Sequence, residues 1–578
     1  MIFLNFLAAI MIDKRFVALV AFLGAIGIAV AERHVPTLPM AYCIAVAMIA
    51  FFVVLTARLI TSIYVSLSLL ALISFVSYAK MKWMSIAPNV VDVYYFAMNP
   101  GTLSFLFDSF LPYVVIAALL LLLTLVGALF VGRYEVGSRR GRHAACIVFP
   151  VAVAMVFVFQ PKDFQGIRDL MRFRYVTSVF TSFKYLAYLG DEVPLLDRLS
   201  APGKSRDTQN AAAKSCQEQE SKPDIVVVQA ESVVPAEILF QGRSPTLLQG
   251  RFNGEDDVLR PLNVETFAGG TWVTTAGFAA SLPISDLGWL KSYSNFILED
   301  RVQHSLALTL ADCGYHTVYL SPLPYSFVNE GPFVESIGFE AFIDQHAMKA
   351  PSTHQSDAFY YEYALDYIRR HRVDDGRPVF MVILNMSAHS PWDFRMAPEV
   401  VLDGEPFDED TSLNEYYRRL AISRVHLKDF RRQLEKKPNG RSVLMLEFGD
   451  HQPGFMLPHW TKIEGSQALG DPKSNAYLTF YQFLSAGAEL KANVPVFEKL
   501  DVQYLAPTLL EVAGLPLDPV HKDLRDMRDL CGGVFASCGI EGRIEAHFRC
   551  REDQSQCLFH PDDQTRHIYR TSYSAVTN

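Results

Sequence analysis

The sequence predicts a two-part protein: an N-terminal bundle of five transmembrane helices, then an extracytoplasmic α/β domain with a mainly parallel sheet. Three observations predict it. Half of the 578 residues are apolar and the mean hydropathy is +0.16, too high for a wholly soluble enzyme of this length. The apolar excess sits at one end, where residues 1–160 carry ten Lys/Arg against five Asp/Glu, while the rest carries 42 against 56. From Pro223 onward, short β-branched runs alternate with longer stretches of helical period, which implies an α/β layer fold. The acidic C-terminal part excludes a nucleic-acid binder, because no basic patch is available to displace counterions from phosphates.

Five stretches are long and apolar enough to span a bilayer: Phe16–Ala31, Met40–Leu55, Ile60–Tyr78, Leu111–Val131 and Ala144–Phe159. Arg133, Arg139, Arg140 and Arg142 crowd the loop before the last stretch, and Arg58 follows the second. Both loops therefore face the cytoplasm by the positive-inside rule, and everything after about Gln160 lies outside. Lys14, Arg15 and Ala29-Val30-Ala31 also fit a cleavable signal peptide, which would leave that sidedness unchanged.

Residues 161–222 read as a connector. Asp163–Leu199 suits either a juxtamembrane amphipathic helix or an ordinary packed one, and Pro202–Lys222 reads as a linker. Residues 223–520 read as the α/β domain expected to carry the chemistry and 521–578 as a Cys-rich tail. Cys43 and Cys146 fall within spans. The other six cysteines, at 216, 313, 531, 538, 550 and 557, fall in the external part and suggest disulfides in an oxidising compartment, the last four as two bridges of undetermined connectivity.

Asp224–Gln229, Thr317–Leu320, Val379–Leu384 and Val443–Leu446 are near-continuous apolar runs, as strands buried on both faces require. Asp357–His371 and Ser412–Lys436 read as helices between them. Ligands of such folds bind beyond the carboxyl ends of the strands. There the sequence places Glu231, then Asn385 and His389, then the adjacent pair Asp450-His451. Carboxylates with imidazole make a ligand set for one divalent metal, zinc or manganese. Singly, each is more simply a helix-end charge or a hydrogen-bonded surface residue; their convergence on one sheet edge favours the site. Gly269-Gly270-Thr271-Trp272-Val273-Thr274-Thr275-Ala276-Gly277 reads as a hydroxyl-rich turn before a helix through Phe278–Ser281, offering a nucleophile at a helix N-terminus.

Together these residues resemble the alkaline-phosphatase/sulfatase superfamily. The chain is most similar to its membrane-anchored branch: lipoteichoic-acid synthases, phosphoglycerol transferases acting on periplasmic glucans, and lipid A phosphoethanolamine transferases. The resemblance covers most of Pro223–Pro516, including the late segment Asp501–Leu510. It implies a sulfatase-like domain in which Glu231, Asp450, His451 and the Thr274 oxygen hold the metal. Thr274 is the implied nucleophile, with Thr275 as the fallback one position on, and His389 the residue that protonates the leaving alkoxide. His459, Asn385 and Thr275 are the residues expected to bind substrate. Two departures concern the substrate: Ser326–Glu330 lacks the Trp and Arg of lipoteichoic-acid synthases, and no cysteine lies near Thr274.

The function this implies is metal-dependent transfer of a phospholipid head group, phosphoglycerol or phosphoethanolamine, to an envelope glycan or lipid through a phospho-Thr intermediate. The expected partners are a membrane phospholipid donor and that acceptor, with no nucleic acid. The expected location is a bacterial inner membrane with the catalytic domain in the periplasm. The alternative is a membrane-anchored phosphodiesterase or sulfatase-type hydrolase. Sulfatases of the superfamily need a Cys or Ser converted to formylglycine, and the nucleophile loop has neither before Ser281. A non-catalytic envelope scaffold is the third reading.

Overall fold

The computed structural model describes residues 10–32, 35–84, 87–95, 100–160, 175–183, 216–217 and 222–535, apart from 241–243, 303, 437–440, 466–467, 472 and 488–492. The chain divides into two units, Met1–Glu192 and Val193–Asn578. The connector outside 175–183 and 216–217, and with it most of Asp163–Leu199 and Pro202–Lys222, lies outside the described residues.

In the first unit, five helices are long and apolar enough to cross a membrane. They are α1 (Lys14–Ala31), α2 (Leu38–Thr56), α3 (Leu59–Met84), α4 (Pro100–Tyr134) and α5 (Arg139–Val158). Most run a few residues past the apolar stretches, because polar residues at their ends continue the helix. Asp13 caps α1 by accepting from the N–H groups of Arg15 and Phe16 at 2.8 and 3.3 Å. Pro112 breaks α4 at Phe110, where φ is −126°. Two further acidic side chains close helix ends in this unit. Glu135 accepts from the N–H groups of Ile60 and Thr61 at the start of α3, each at 2.7 Å. Glu32, 1% exposed, accepts from the N–H groups of Val176 and Thr177 at the start of α6 (Thr177–Ser182).

The second unit is built on an eight-stranded mixed sheet in the order β4-β3-β5-β1-β6-β7-β2-β8. The strands are β1 (Asp224–Ala230), β2 (Arg260–Asn263), β3 (His316–Leu320), β4 (Ala341–Ile343), β5 (Val379–Asn385), β6 (Val443–Gly449), β7 (Leu478–Ala486) and β8 (Leu500–Asp501). Strands β4, β3, β5, β1 and β6 are mutually parallel, and β7 runs antiparallel between β6 and β2. The four strands read from apolar runs are all present, each extended by one to three residues.

Side-chain alternation gives the sheet two buried faces. On one, Val226, Val228, Met381 and Ile383 pack under Tyr360 and Ile368 of α8 (Asp357–Asp374) and Leu427 and Phe430 of α9 (Thr411–Glu435). Gln229 points the other way and bonds α7 (Thr271–Ala279), its amide donating to the Thr271 carbonyl at 3.2 Å. This helix begins at Thr271, inside the stretch read as a turn. The turn ends at Gly270, whose φ of +83° leads the chain directly into the helix. Gly277 is an interior helical residue instead, packed so closely that a Cβ would lie 3.0 Å from Val502.

Helices α11 (Leu505–Val512) and α12 (Pro519–Leu530) complete the unit, joined by Arg528, which donates to Thr508 Oγ1 at 2.8 Å and to Glu511 at 2.6 Å. Residues 519–530 thus pack with the sheet unit. A disulfide joins Cys216 to Cys313. Cys531 is also disulfide-bonded, while Cys538, Cys550 and Cys557 lie outside the described residues.

Candidate metal centre and active site

The register of three parallel strands positions the site. Ala230, the last residue of β1, pairs with Asn385 of β5 on one side and Gly449 of β6 on the other, so Glu231 and Asp450 emerge side by side. Only glycine fits at 449, because a Cβ there would stand 2.1 Å from the Val233 carbonyl oxygen. The Asn385 carboxamide oxygen accepts the Glu231 N–H at 3.2 Å. Asn385 is fully buried and holds backbone, so its contact is with the chain that carries Glu231.

One ligand atom each from Glu231, Asp450 and His451 lies within 4.8 Å of the others. His451 Nε2 stands 3.2 Å from Glu231 Oε1 and 3.5 Å from Asp450 Oδ2. His451 Nδ1 donates to the Gln452 carbonyl at 3.1 Å, which leaves Nε2 as the ring nitrogen that faces the carboxylates. Asp450 Oδ1 accepts two backbone N–H groups, from Ser232 at 2.8 Å and His451 at 2.7 Å. Asp450 Oδ2 is buried with no hydrogen-bond partner. Two buried carboxylates, an orphaned oxygen and an inward imidazole nitrogen fit a divalent cation.

The electrostatics say the same. Burial pushes Asp450 up, and the neighbouring Glu231 charge pushes it further. Burial also acts upward on Glu231, but His451 and then His389 outweigh it and hold this carboxyl well below the usual range. Burial works against the His451 imidazolium, yet Asp450 and Glu231 pull its pKa up to about 9. The cluster therefore holds positive charge in its centre, as a proton or as a metal.

The hydroxyl that reaches the cluster is that of Thr271. It donates to Glu231 Oε2 at 2.6 Å and lies 3.4 Å from His451 Nε2. Thr271, Thr274 and Thr275 share one helix face, being three and four residues apart. Only Thr271 occupies the first turn, beside the strand ends. Thr274, deeper along the helix and fully buried, donates to the Asp450 carbonyl at 2.8 Å. Thr275 donates to Gln229 Oε1 at 3.1 Å.

His389 is half-buried on the loop after β5, and its charge acts on Glu231. Arg419 of α9 grips that loop, donating to the carbonyls of His389, Pro391 and Phe394 at 2.7, 2.9 and 2.9 Å. His354 packs edge-on against His389 at 5.4 Å and is held low by burial and by His389. Neither Arg419 nor His354 carries a sequence signal, since both come from segments remote from the strand ends. Thr271 did carry one: it directly follows Gly269-Gly270. His459 is not part of the cluster. It sits on α10 (Leu457–Glu464), its ring edge-on to Phe240 at 5.6 Å.

Residues 223–515, more than half of the chain, match the model of the sulfatase family. The chain belongs to that family. A sulfatase-family assignment agrees with the mixed sheet and with a metal-type cluster at its carboxyl edge. An uncharacterized protein of Haemophilus influenzae is 26% identical over 312 residues, 51% of this chain. The match spans 54% of that relative, so the chain covers about half of its length. Among solved structures, the chain is similar to the Streptococcus pyogenes phosphoglycerol transferase GacH in complex with sn-glycerol-1-phosphate, at 18% identity and a TM-score of 0.43 over 59% of this chain and 90% of that one. It is similar to the lipoteichoic acid synthase LtaP of Listeria monocytogenes, at 19% identity and a TM-score of 0.40 over 55% and 77%. It is also similar to the periplasmic domain of Escherichia coli EptC in complex with Zn, at 14% identity and a TM-score of 0.36 over 52% and 85%.

Proposed function

We propose that this sulfatase-family chain transfers the phosphorylated head group of a membrane phospholipid to a hydroxyl of an envelope glycan or lipid, with Thr271 as the nucleophile. The observation that carries the reading is the Thr271 hydroxyl, 2.6 Å from Glu231 in the three-residue cluster. Glu231, Asp450 and His451 would hold one divalent ion, zinc or manganese, which when bound supplies positive charge against the phosphoryl oxygens and acidifies a neighbouring hydroxyl.

The chain's own residues account for the remaining steps. Thr271 Oγ1 passes its proton to Glu231 Oε2 and attacks phosphorus. The bond from phosphorus to the diacylglycerol oxygen breaks, and His389 Nε2 supplies the proton that oxygen takes, its Nδ1 being bonded to the Ser390 carbonyl. The N-terminus of α7 faces the anionic group with free N–H dipoles. In the second half, the acceptor hydroxyl gives its proton to His389 and attacks the same phosphorus, and Thr271 leaves and recovers its proton. Arg419 acts as a positioning residue by fixing the His389 loop.

Two features support a tethered enzyme outside the cytoplasm. Five candidate spans confine the chain to the surface that carries its lipid donor. The Cys216–Cys313 bond suits an oxidising compartment, in agreement with the arginine-rich loops on the opposite side. A threonine at 271 cannot be converted to formylglycine, which favours phosphoryl over sulfuryl chemistry.

The test is mass spectrometry of the peptide carrying both Thr271 and Thr274, after incubating full-length protein with labelled phosphatidylglycerol or phosphatidylethanolamine. A head-group phosphate on Thr271 is expected, absent from Thr271→Ala and retained in Thr274→Ala. Label on Thr274 would reassign the nucleophile, and no label from either lipid in metal-loaded protein would remove the transferase reading.

A further inference from the structure

The loop that carries His389 is held from two sides. Arg419 takes the carbonyls of His389 and Pro391 at 2.7 and 2.9 Å and passes over the one between them. The Ser390 carbonyl is bonded instead by two imidazoles, His389 through Nδ1 and His354 through Nε2 at 3.1 Å. A carbonyl oxygen accepts two hydrogen bonds, so these two rings fill it. One of them is the very ring this carbonyl orients. Among the described residues, His354 is therefore the only side chain from elsewhere in the sequence that holds the anchor in place.

His354 can hold it because its own segment, just before α8, is fixed. The Asp357 N–H donates to Ser387 Oγ at 2.9 Å, and the Ser387 N–H returns a bond to Asp357 Oδ1 at 3.1 Å. His354 and Asp357 thus face Ser390 and Ser387 in antiparallel order, a clasp between the start of α8 and the loop after β5. Tyr360 of α8 donates to the Thr353 carbonyl at 2.9 Å, one residue before the ring. A carbonyl only accepts, so His354 carries its proton on Nε2, and its Nδ1 accepts from Thr353 Oγ1 at 3.0 Å. Burial and then His389 hold the His354 imidazolium low, so the donor is a neutral ring. The consequence falls on His389. Its Nδ1 must hold a proton to bond Ser390, which leaves Nε2 as the nitrogen that gives and takes one. With the carbonyl free to turn, the ring would divide between two tautomers, one of which offers the wrong atom.

We propose that His354 is a positioning residue whose bond to the Ser390 carbonyl fixes the tautomer and aim of His389. The chemical role of His389 rests on the transfer reading above, but its tautomer can be read with no reaction running. Full-length protein carrying isotope-labelled histidine, in phosphatidylglycerol nanodiscs, is followed by long-range proton–nitrogen NMR, with His389 assigned from its absence in His389→Gln. Neutral His389 is expected as the Nδ1–H tautomer in the native protein and in His354→Gln, whose amide restores a donor. A mixture is expected in His354→Phe, which keeps a ring but loses the donor. Labelling of Thr271 by phosphatidylglycerol or phosphatidylethanolamine should slow about tenfold or more in His354→Phe and recover to within about threefold in His354→Gln, with metal content unchanged. The native and His354→Gln spectra decide even where His354→Phe does not fold. An Nε2–H tautomer in the native protein, an unchanged tautomer in folded His354→Phe, or no recovery in His354→Gln at native Tm would each overturn the proposal. A tautomer that follows the donor at 354 while Thr271 never takes label would remove the transfer reading and leave the positioning role standing.

Discussion

The two units each bury a carboxylate, and they treat it in opposite ways. Glu32 in the membrane-type unit receives two backbone N–H groups at 3.1 and 3.0 Å and two hydroxyls, Thr37 at 2.6 Å and Thr177 at 2.5 Å. Its oxygens are fully answered by neutral donors, and the result is a fixed joint between α6 and the end of α1. Glu231 in the sheet unit receives the hydroxyls of Ser232 and Thr271 but no backbone N–H, and stands beside His451 and a second carboxylate with one orphaned oxygen. The first arrangement is complete without a cation and the second is not. Donor count, more than burial, separates an architectural acid from one poised to bind metal.

The contrast breaks most severely at Asp450. Asp450→Asn removes a charge but keeps the shape, so the full-length protein is expected to fold, lose its bound metal by elemental analysis and lose at least about 10³-fold in transfer rate. An unchanged metal content in that variant would refute the ligand assignment. Glu32→Ala attacks the other side of the comparison. It leaves the Val176 and Thr177 N–H groups unpaired and is expected to cost about 2–4 kcal/mol in thermal unfolding of the detergent-solubilised protein, with metal content unchanged.

Glu330 sharpens the contrast as an intermediate case. It is buried, with the hydroxyls of Tyr319 at 3.2 Å and Ser321 at 3.0 Å and, among the described residues, no ion pair. Burial raises its pKa to about 7 against the pull of those hydroxyls. The unfolded chain releases this proton near 4.5, so the fold binds it more tightly; that stabilisation is complete below about 4.5 and is lost as pH rises to about 7. Unfolding free energy measured from pH 4 to 8 should fall by roughly 3 kcal/mol more in the native protein than in Glu330→Gln, and equal slopes would show that Glu330 ionises as it would in water.

Much of this was legible in the amino-acid order because the signals were local. Apolar runs marked β1, β3, β5 and β6, and the parallel rule then placed Glu231, Asn385, His389, Asp450 and His451 on one edge. The short strand β2 and the mixed-polarity strand β7 carry no such run, so the antiparallel side of the sheet was not legible. Among Thr271, Thr274 and Thr275 the deciding fact is where α7 begins. That depends on the left-handed turn at Gly270, where the side chain of Thr266, four residues earlier, packs so closely that its hydroxyl oxygen would sit 2.7 Å from any Cβ. The cap that Glu32 forms on α6 joins residues far apart in the chain, and no spacing rule reaches that distance.

The bond between Cys216 and Cys313 has a mechanical consequence. Lys222 laces the same corner by donating to the carbonyls of Cys216 and Cys313 at 3.3 and 2.8 Å. Tension arriving along the chain before Cys216 is therefore delivered to the turn that precedes β3. The central strand that carries Glu231 is then not tugged out of register. Reducing that bond would redirect the force straight into β1, the strand whose register the metal ligands depend on.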